Sequence, residues 1–494
     1  MIVVAASALR TVSVCLSLLA FLPARPAFAH VGSPDVFFDG NAGPYRLMVT
    51  VRPPPMIPGI AAIEIRAGSP AILAIRAVPL HLTGQGSKYP PSPDTLRPSK
   101  GDPQFFTGGL WIMGSGSWQV RLEAEGAEGS GTLSLPVPAF ATRTLPMQRT
   151  LGWFLFAAML FLVVALIVIL GAGRREGFLL PGTAPGPAQS RRAAAIMAVA
   201  GLVLVAILYF GNRWWDSEAA DRARVMIYRP PTLSAALQPG GRLELRMAES
   251  QWHKNRPETV TTELIPDHGH LMHLFLVRTP ALDRFYHLHP DKQGGQTFSQ
   301  QLPALPAGHY QIFADIVRAS GFPDTMTAEI DLPDLPGKAP AGDDSEALAP
   351  ALATSARPSD AAPLAGGGRM VWARGTEPLR ARQALWFRFR VEDEAGKPAG
   401  DLEPYMGMAG HAEFISFDRS VFAHVHPEGS VAMAALSLAS VVPADMAGMH
   451  HAMAVPPEIS FPYGLPKAGD YRLFVQIKRA GRVETGTFDL HVEP

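Results

Sequence analysis

The chain has 494 residues, which is too long for one compact core and predicts several domains. Lysine plus arginine and aspartate plus glutamate number 43 each, so there is no basic field to recruit nucleic acid, and we expect no nucleic-acid partner. Only 17% of the residues are charged, while glycine (46) and proline (47) are abundant, which favours short strands and turns over long surface helices.

Residues 1–29 have the features of a secretory signal peptide. Arg10 precedes an apolar run over residues 12–22, and a small-x-small cleavage site follows. Cleavage there would make His30 the first residue of the mature chain. The single cysteine, Cys15, lies inside this segment, so we expect neither a disulfide nor a thiolate site in the mature protein.

Two further apolar runs, 151–171 and 193–211, contain no charged residue and predict transmembrane helices. The loop between them, residues 172–192, carries four arginines: Arg174, Arg175, Arg191 and Arg192. Aromatic residues lie at the opposite ends of the two runs: Trp153, Tyr209, Trp214 and Trp215. Arginine-rich loops stay in the cytoplasm and aromatic residues mark membrane interfaces. We therefore predict a protein of the cytoplasmic membrane, with both termini of the mature chain on the periplasmic, extracytoplasmic side.

The remaining segments predict an all-β protein with three sandwich domains. Strand-like stretches such as Tyr45–Val51 and Ser117–Leu122 recur along residues 30–148, which form the first domain. Residues 223–335 and 368–494 form two more. Between these two, residues 336–367 are rich in Ala, Pro, Gly, Ser and Asp and predict a disordered linker.

The last two domains are copies of one unit. Pro266–His273 matches Pro404–His411, and a His-x-His-Pro motif follows in both segments. Further on, Leu305–Phe313 matches Leu465–Phe474, at the start of a closing strand. An internal repeat explains these matches in their common order. We refer to residues 223–335 as copy 1 and to residues 368–494 as copy 2.

Each copy predicts a hairpin that gathers three histidines. In copy 1 they are His273, His287 and His289, and in copy 2 they are His411, His424 and His426. Side chains two residues apart on a strand share a face at a separation of roughly 7 Å, and antiparallel pairing brings the third histidine onto that face. Single His-x-His pairs are also typical of solvated strand faces. The duplication favours a metal site in each copy.

The residue types favour copper. Imidazole suits copper, zinc or nickel, and added thioethers favour reduced copper. Where copy 1 has His268 and His270, copy 2 has Met406 and Met408. An insertion in copy 2 adds five candidate ligands: Met446, Met449, His450, His451 and Met453. Methionines also fill gaps in cores. Because of the matched offsets we interpret the copies as tuned toward Cu(II) and Cu(I).

His30 suggests a separate site in the first domain. A mature N-terminal histidine can bind Cu(II) through its α-amino group and imidazole, with His81 completing the set. The equal alternative is an inert histidine that happens to follow the cleavage site. A copper oxidase at His30 is a third reading, for which the sequence offers no substrate cleft.

The tandem domains resemble a known group of proteins. The motifs Gly-His-Ala-Glu-Phe, Phe-Ala-His-Val-His-Pro and Ala-Gly-Asp-Tyr-Arg-Leu-Phe of copy 2 are similar to those of uncharacterised bacterial exported, copper-associated proteins with YtkA-like or cupredoxin-like domains. The opening His-Val-Gly-Ser-Pro-Asp with His81 resembles the immunoglobulin-like CopC-type copper carriers, although their usual Asp-x-His pair is missing around His81. The resemblance implies cupredoxin-like or immunoglobulin-like sandwiches and a role in copper handling.

Together these features predict a membrane-anchored extracytoplasmic protein, not an enzyme, that captures, buffers or delivers copper. Its partners would be copper-transport or copper-enzyme assembly proteins. The alternative is an extracytoplasmic protein-interaction or sensory module with no metal role, whose histidines respond to pH.

Overall fold

The computed structural model describes residues 34–68, 72–180, 182–257, 260–349, 360–439 and 455–494. It confirms an all-β chain of sandwich-like sheets, joined to two helices that are long and apolar enough to cross a membrane. These helices are α1 (Arg149–Glu176) and α2 (Pro187–Met226). Helix α2 continues 15 residues past the predicted span because the segment after Gly211 is rich in alanine and arginine, which are strong helix formers.

The first domain packs a five-stranded sheet against a four-stranded one. Its strands are β1 (Val36–Ala42), β2 (Tyr45–Arg52), β3 (Gly59–Ala67), β4 (Ile72–His81), β5 (Asp94–Thr95), β6 (Arg97–Pro98), β7 (Phe105–Ile112), β8 (Gly116–Gly126) and β9 (Gly129–Ala139). The sheet orders are β1-β2-β3-β7-β6 and β5-β4-β8-β9. Alternate residues of β3, such as Ile63 and Ile65, are buried between the sheets. The predicted strands here are confirmed, with ends extended by a few residues.

Copy 1 is a sandwich whose larger sheet carries the first histidine hairpin. Its elements are β10 (Thr232–Gln238), β11 (Arg242–Ala248), the short helix α3 (Gln251–Lys254), β12 (Leu264–Ile265), β13 (His273–Thr279), β14 (Arg284–Leu288), β15 (Asp291–Gly294), β16 (Thr297–Gln301), β17 (Gly308–Arg318), β18 (Pro323–Leu332) and β19 (Ser345–Leu348). One sheet has the order β10-β11-β16-β15. The other has the order β12-β17-β13-β14-β19, with β18 also on β17.

Copy 2 repeats this arrangement. Its elements are β20 (Ala361–Pro363), β21 (Arg369–Trp372), β22 (Leu379–Arg380), β23 (Leu385–Glu392), β24 (Leu402–Glu403), β25 (His411–Ser416), β26 (Phe422–Val425), helix α4 (Met433–Ala439), β27 (Glu458–Tyr463), β28 (Gly469–Arg479) and β29 (Arg482–Glu493). The larger sheet has the order β22-β29-β28-β25-β26, with β24 also on β28. Strands β12, β13, β14, β17 and β18 thus correspond to β24, β25, β26, β28 and β29.

The larger sheets of the two copies face each other. Phe285 of β14 stacks on Phe474 of β28 with ring centroids 4.3 Å apart, and Phe422 of β26 stacks on Phe313 of β17 at the same distance. Phe285 and Phe422 occupy equivalent positions, as do Phe313 and Phe474, because each pair has the same register to its central strand. The second contact is therefore the first with the roles of the two copies interchanged. This relationship defines an approximate two-fold axis between the copies.

The predicted linker differs from a structureless connection at both ends. Strand β19 pairs with β14, and Ala347 and Ala349 enter the aromatic cluster between the copies. Strand β20 pairs with β21 at the start of copy 2. These short stretches are ordered in spite of their loop-like composition because burial of small apolar side chains stabilises them.

The first domain packs on copy 2 next to the second histidine hairpin. Phe37 of β1 lies in the core of copy 2, and its main-chain oxygen accepts a 2.9 Å hydrogen bond from the amide of Ser430. The amide of Asp39 donates to the main-chain oxygen of Glu428 at 2.7 Å. These contacts fix the loop that follows β26.

Candidate metal centre

Each copy has a tight turn before its first histidine strand. The turns Asp267–His270 and Tyr405–Met408 are each closed by two backbone hydrogen bonds of 2.8 to 3.1 Å. Their second residues, His268 and Met406, have φ of 51° and 49°, and the glycine after each also has a positive φ. Positive φ at both central positions is the geometry of a type I′ turn. His268 and Met406 therefore occupy one structural position in the two copies.

The hairpins place their histidines on the faces that meet between the copies. His287 lies opposite Phe275 in the β13–β14 pair, and His424 lies opposite Glu413 in the β25–β26 pair. Because side chains alternate along a strand, the histidines two residues away join the same faces. Eight histidines collect there: His268, His270, His273, His287, His289, His411, His424 and His426.

Two groups of three histidines have the spacing of a metal site. In each, one ring nitrogen per residue lies within 4.8 Å of the other two. The copy-1 group is the predicted set, His273, His287 and His289. The mixed group contains His411 and His426 of copy 2 with His268 of copy 1. It differs from the predicted set, in which His424 was the third member, because the face-to-face packing brings the turn of copy 1 against the hairpin of copy 2.

Hydrogen bonds orient the copy-1 group. His289 Nδ1 donates to Asp344 Oδ1 at 2.9 Å, and His287 Nδ1 donates to Gln476 Oε1 of copy 2 at 2.9 Å. His273 Nε2 donates to the main-chain oxygen of Asp267 at 3.1 Å. Since oxygen is the acceptor each time, the other ring nitrogen carries a lone pair. Two of these, His273 Nδ1 and His287 Nε2, lie 3.1 Å apart.

The mixed group is oriented in the same way. His268 Nδ1 donates to the main-chain oxygen of Met406 at 2.9 Å, and His426 Nδ1 donates to that of Val431 at 3.1 Å. Their Nε2 atoms then face each other at 3.3 Å as lone pairs. Neither ring nitrogen of His411, which is fully buried, has a hydrogen-bond partner among the described residues. Ligating histidines in metalloproteins have this arrangement, with the distal N–H tied to an oxygen.

Six of these histidines have a lowered pKa, which favours their neutral form at physiological pH. Burial, and after it the neighbouring imidazoles, lowers the pKa of His273, His287, His411 and His424 well below the usual 6.5. Burial and His268 lower the pKa of His426 to about 3. Burial also lowers the pKa of His289, although the hydrogen bond that it donates to Asp344 opposes this shift. Metals bind the neutral imidazole, so no proton has to be displaced from these rings.

Two carboxyl groups, one fully buried and one partly buried, accompany the histidines. Glu413 is fully buried, and neither of its oxygens has a hydrogen-bond partner in the described part of the chain. Asp315 Oδ2 lies 3.6 Å from His424 Nδ1. Burial raises the pKa of Asp315 to about 7, and burial together with Asp315 raises the pKa of Glu413 well above 4.5. Such groups ionise readily only beside added positive charge.

A cavity of about 180 Å³ opens onto the cluster at the junction of the first domain with both copies. Its lining includes His273, His424, His426, Asp267 and Asp315. The volume has room for several water molecules, since one needs on the order of 10–15 Å³ by this measure. Ions and small molecules therefore have space beside both groups.

Comparison with known protein families gives a match in the C-terminal part of the chain. Residues 366–494 match a domain of unknown function (DUF8832). No curated protein is significantly similar in sequence.

Among solved structures, the chain is similar to a tetra-tandem repeat in the extending region of a large adhesion protein, with 7% identity and a TM-score of 0.16 over 92% of this chain and 82% of that chain. It is also similar to Salmonella alpha-2-macroglobulin reacted with methylamine, with 10% identity and a TM-score of 0.20 over 96% of this chain and 24% of that chain. For dimeric latent PorU from Porphyromonas gingivalis the identity is 9% and the TM-score is 0.14, over 88% of this chain and 32% of that chain. The chain spans about a quarter of the macroglobulin and a third of PorU.

The other predicted ligands belong to neither group or lie outside the described residues. His270 stacks on His289 with ring centroids 3.9 Å apart, and Met408 is buried at the end of its turn. His81 stacks on Trp118 at 4.2 Å and joins neither group. Six predicted ligands lie outside the described residues: His30, Met446, Met449, His450, His451 and Met453.

Sequence reasoning missed the polar groups that complete the cluster. Glu413 follows His411 by two residues and so shares its face, which was a usable signal. Asp315 and Gln476 lie opposite His273 and His411 on the closing strands β17 and β28. Their places depend on long-range strand register, for which the sequence carries no local signal.

Proposed function

We propose that the protein is anchored in the cytoplasmic membrane and binds copper between its two extracytoplasmic copies, where it captures, buffers or delivers the metal. The observation that carries this proposal is the convergence of lone pairs in two three-histidine groups, with five of the six rings tied through the opposite nitrogen to an oxygen acceptor. Imidazoles fixed in this way are oriented for a metal before it arrives.

Unpaired polar atoms support the same proposal. A buried imidazole or carboxyl without hydrogen bonds costs on the order of 1–3 kcal/mol. His411, Glu413 and the Nε2 atoms of His289 and His424 all lack partners within the described residues. A bound cation would satisfy these atoms together.

Copper is the metal we name. Copper(II) binds nitrogen ligands most tightly among the divalent first-row metals, and the only cysteine lies in the predicted signal peptide. Delivery would involve copper-transport or copper-enzyme assembly proteins on the same side of the membrane. The motifs that resemble YtkA-like and cupredoxin-like proteins favour the same role.

Copper retention by the full chain in detergent tests the proposal. We expect the purified protein to retain copper after desalting. The double variant with His411→Ala and His426→Ala should retain less copper per chain. His309→Ala with His491→Ala is the matched control, because these histidines are exposed and paired with Asp331 and Asp470. No retention by the unchanged protein would overturn the proposal in favour of an interaction or sensory module. Competition with zinc and nickel, measured in parallel, would identify the preferred metal.

A further inference from the structure

The two three-histidine groups are not separate, because His424 contacts members of both. Its ring centroid lies 4.7 Å from that of His426 and 5.3 Å from that of His411, in the mixed group. It also lies 5.4 Å from that of His273 and 5.6 Å from that of His287, in the copy-1 group. His424 Nε2 has no hydrogen-bond partner among the described residues. An unpaired imidazole nitrogen therefore lies between the groups.

Rings of the two groups are also close to each other directly. His268 of the mixed group and His273 of the copy-1 group have ring centroids 6.0 Å apart. For His411 and His287 the distance is 6.3 Å. Ions bound by adjacent rings of this kind would lie within a few ångströms of each other. Two-metal sites in proteins have ions about 3.5–4 Å apart.

The two carboxyls can offset part of the charge of two ions. Glu413 lies opposite His424 on β25, and Asp315 lies opposite His273 on β17. One acid thus comes from each copy, and they occupy non-equivalent strand positions. A buried pair of dications needs nearby negative charge to offset the loss of solvation. Two carboxylates and one small bridging anion would supply it.

The cavity gives both groups access to the same small ligand. It is lined by His273 of the copy-1 group, His426 of the mixed group, and His424 between them. Sites with three protein ligands leave a coordination position for water or substrate. The open positions of the two groups would therefore face one common space.

We propose that the two groups form a single binuclear copper centre, in which the ions share a bridging hydroxide or similar small anion that enters through the cavity. This inference rests on the proposed copper-binding function and adds its stoichiometry, its geometry and a class of exogenous ligand. Neither copy can build the centre alone, since the mixed group takes His268 from copy 1 and the copy-1 group is held by Gln476 of copy 2.

Spin counting on the full chain in detergent tests the inference. After loading with Cu(II), we expect two copper ions per chain and an electron paramagnetic resonance signal far below two spins, because a one-atom bridge couples the ions antiferromagnetically. Azide, a small anion that bridges copper, should change the absorption spectrum. Two copper ions with full spin intensity and no response to azide, or only one ion, would overturn the binuclear centre and leave copper binding intact. No bound copper would remove both proposals.

One variant gives a result that separate sites cannot produce. His268→Gly removes a ligand of the mixed group only, and glycine tolerates the positive φ of this turn position. We expect copper to fall from two ions to one per chain while the spin signal rises toward one full spin. His309→Ala is the control and should change neither value. If the number of bound copper ions fell while the electron paramagnetic resonance intensity per ion stayed the same, the two ions would not be magnetically coupled, and the binuclear centre would be contradicted.

Discussion

The Nδ1 atom of His268 lies 2.9 Å from the main-chain oxygen of Met406, the residue that occupies its own turn position in the other copy. Equivalent positions meet only near the axis that relates two copies. By this symmetry we expect the side chain of Met406 to face the copy-1 group as His268 faces the mixed group.

This relationship predicts the effect of Met406→His. The change places a fourth imidazole toward the copy-1 group at a φ that His268 already adopts, so we expect Cu(II) affinity to rise at least about tenfold, or about 1.4 kcal/mol. Competition with a chelator of known affinity measures it. Met408→His, two residues further along the same turn, is the matched control. Equal gains from the two changes would contradict the symmetry argument.

Glu413→Gln separates metal binding from folding. Burial raises the pKa of the Glu413 carboxyl well above 4.5 and so favours its neutral form, which glutamine resembles in shape. We therefore expect the unfolding free energy of the metal-free protein to change by less than about 1 kcal/mol. Copper affinity should fall about tenfold or more, because a carboxylate no longer offsets the charge of the ions. Denaturant unfolding with and without copper gives both values. If the change lowered the unfolding free energy of the metal-free protein and left copper affinity unchanged, Glu413 would have a structural role instead.

The buried histidines predict acid sensitivity of the metal-free protein. Six have pKa values lowered from 6.5: His273, His287, His289, His411, His424 and His426. Below pH 6.5 the unfolded chain takes up protons that the folded chain does not, so the unfolding free energy falls by up to about 1.4 kcal/mol per pH unit for each histidine.

The carboxyls of Asp315 and Glu413 act in the opposite direction. With pKa values raised to about 7 for Asp315 and well above 4.5 for Glu413, they stabilise the fold at low pH and lose that contribution as the pH rises. Since the histidines outnumber them, we expect a net loss of stability from about pH 6.5 downward. Urea titrations across this range measure it, and increasing stability toward acid would refute the prediction.

The aromatic contacts between the copies predict that metal retention depends on residues that do not ligate. Phe285→Leu loosens the stacking on Phe474 and should reduce stability by about 1–2 kcal/mol and speed copper release. Phe422→Leu changes the equivalent contact with Phe313 and should have a similar effect. Ile63→Val in the core of the first domain is a control of comparable destabilisation. Release rates that follow stability alone in all three variants would contradict the prediction.

Local patterns were enough to predict the strands and the hairpins. The predicted strands Tyr45–Val51 and Ser117–Leu122 lie within β2 and β8, because alternation of apolar residues is a local property of the chain. The same alternation correctly placed His287 and His289 on one face with His273.

Alternation could not predict what covers that face. A face with histidines resembles a solvated one in composition, yet His287 and His411 are fully buried against the other copy. Phe285 and Phe422, two residues before His287 and His424, share these faces and indicated that they are covered. The exchange of His268 for His424 in the mixed group depends on how two domains pack, which no spacing within either domain encodes.

The exchanged aromatic pairs have the form of a homodimer interface built within one polypeptide. Because residues 336–367 join the halves, each half meets its partner at an effective concentration in the millimolar range typical of short tethers. Assembly of the histidine cluster is then independent of expression level. A two-chain equivalent would lose its complete cluster whenever the protein became scarce, whereas this chain carries both halves of the cluster in every molecule.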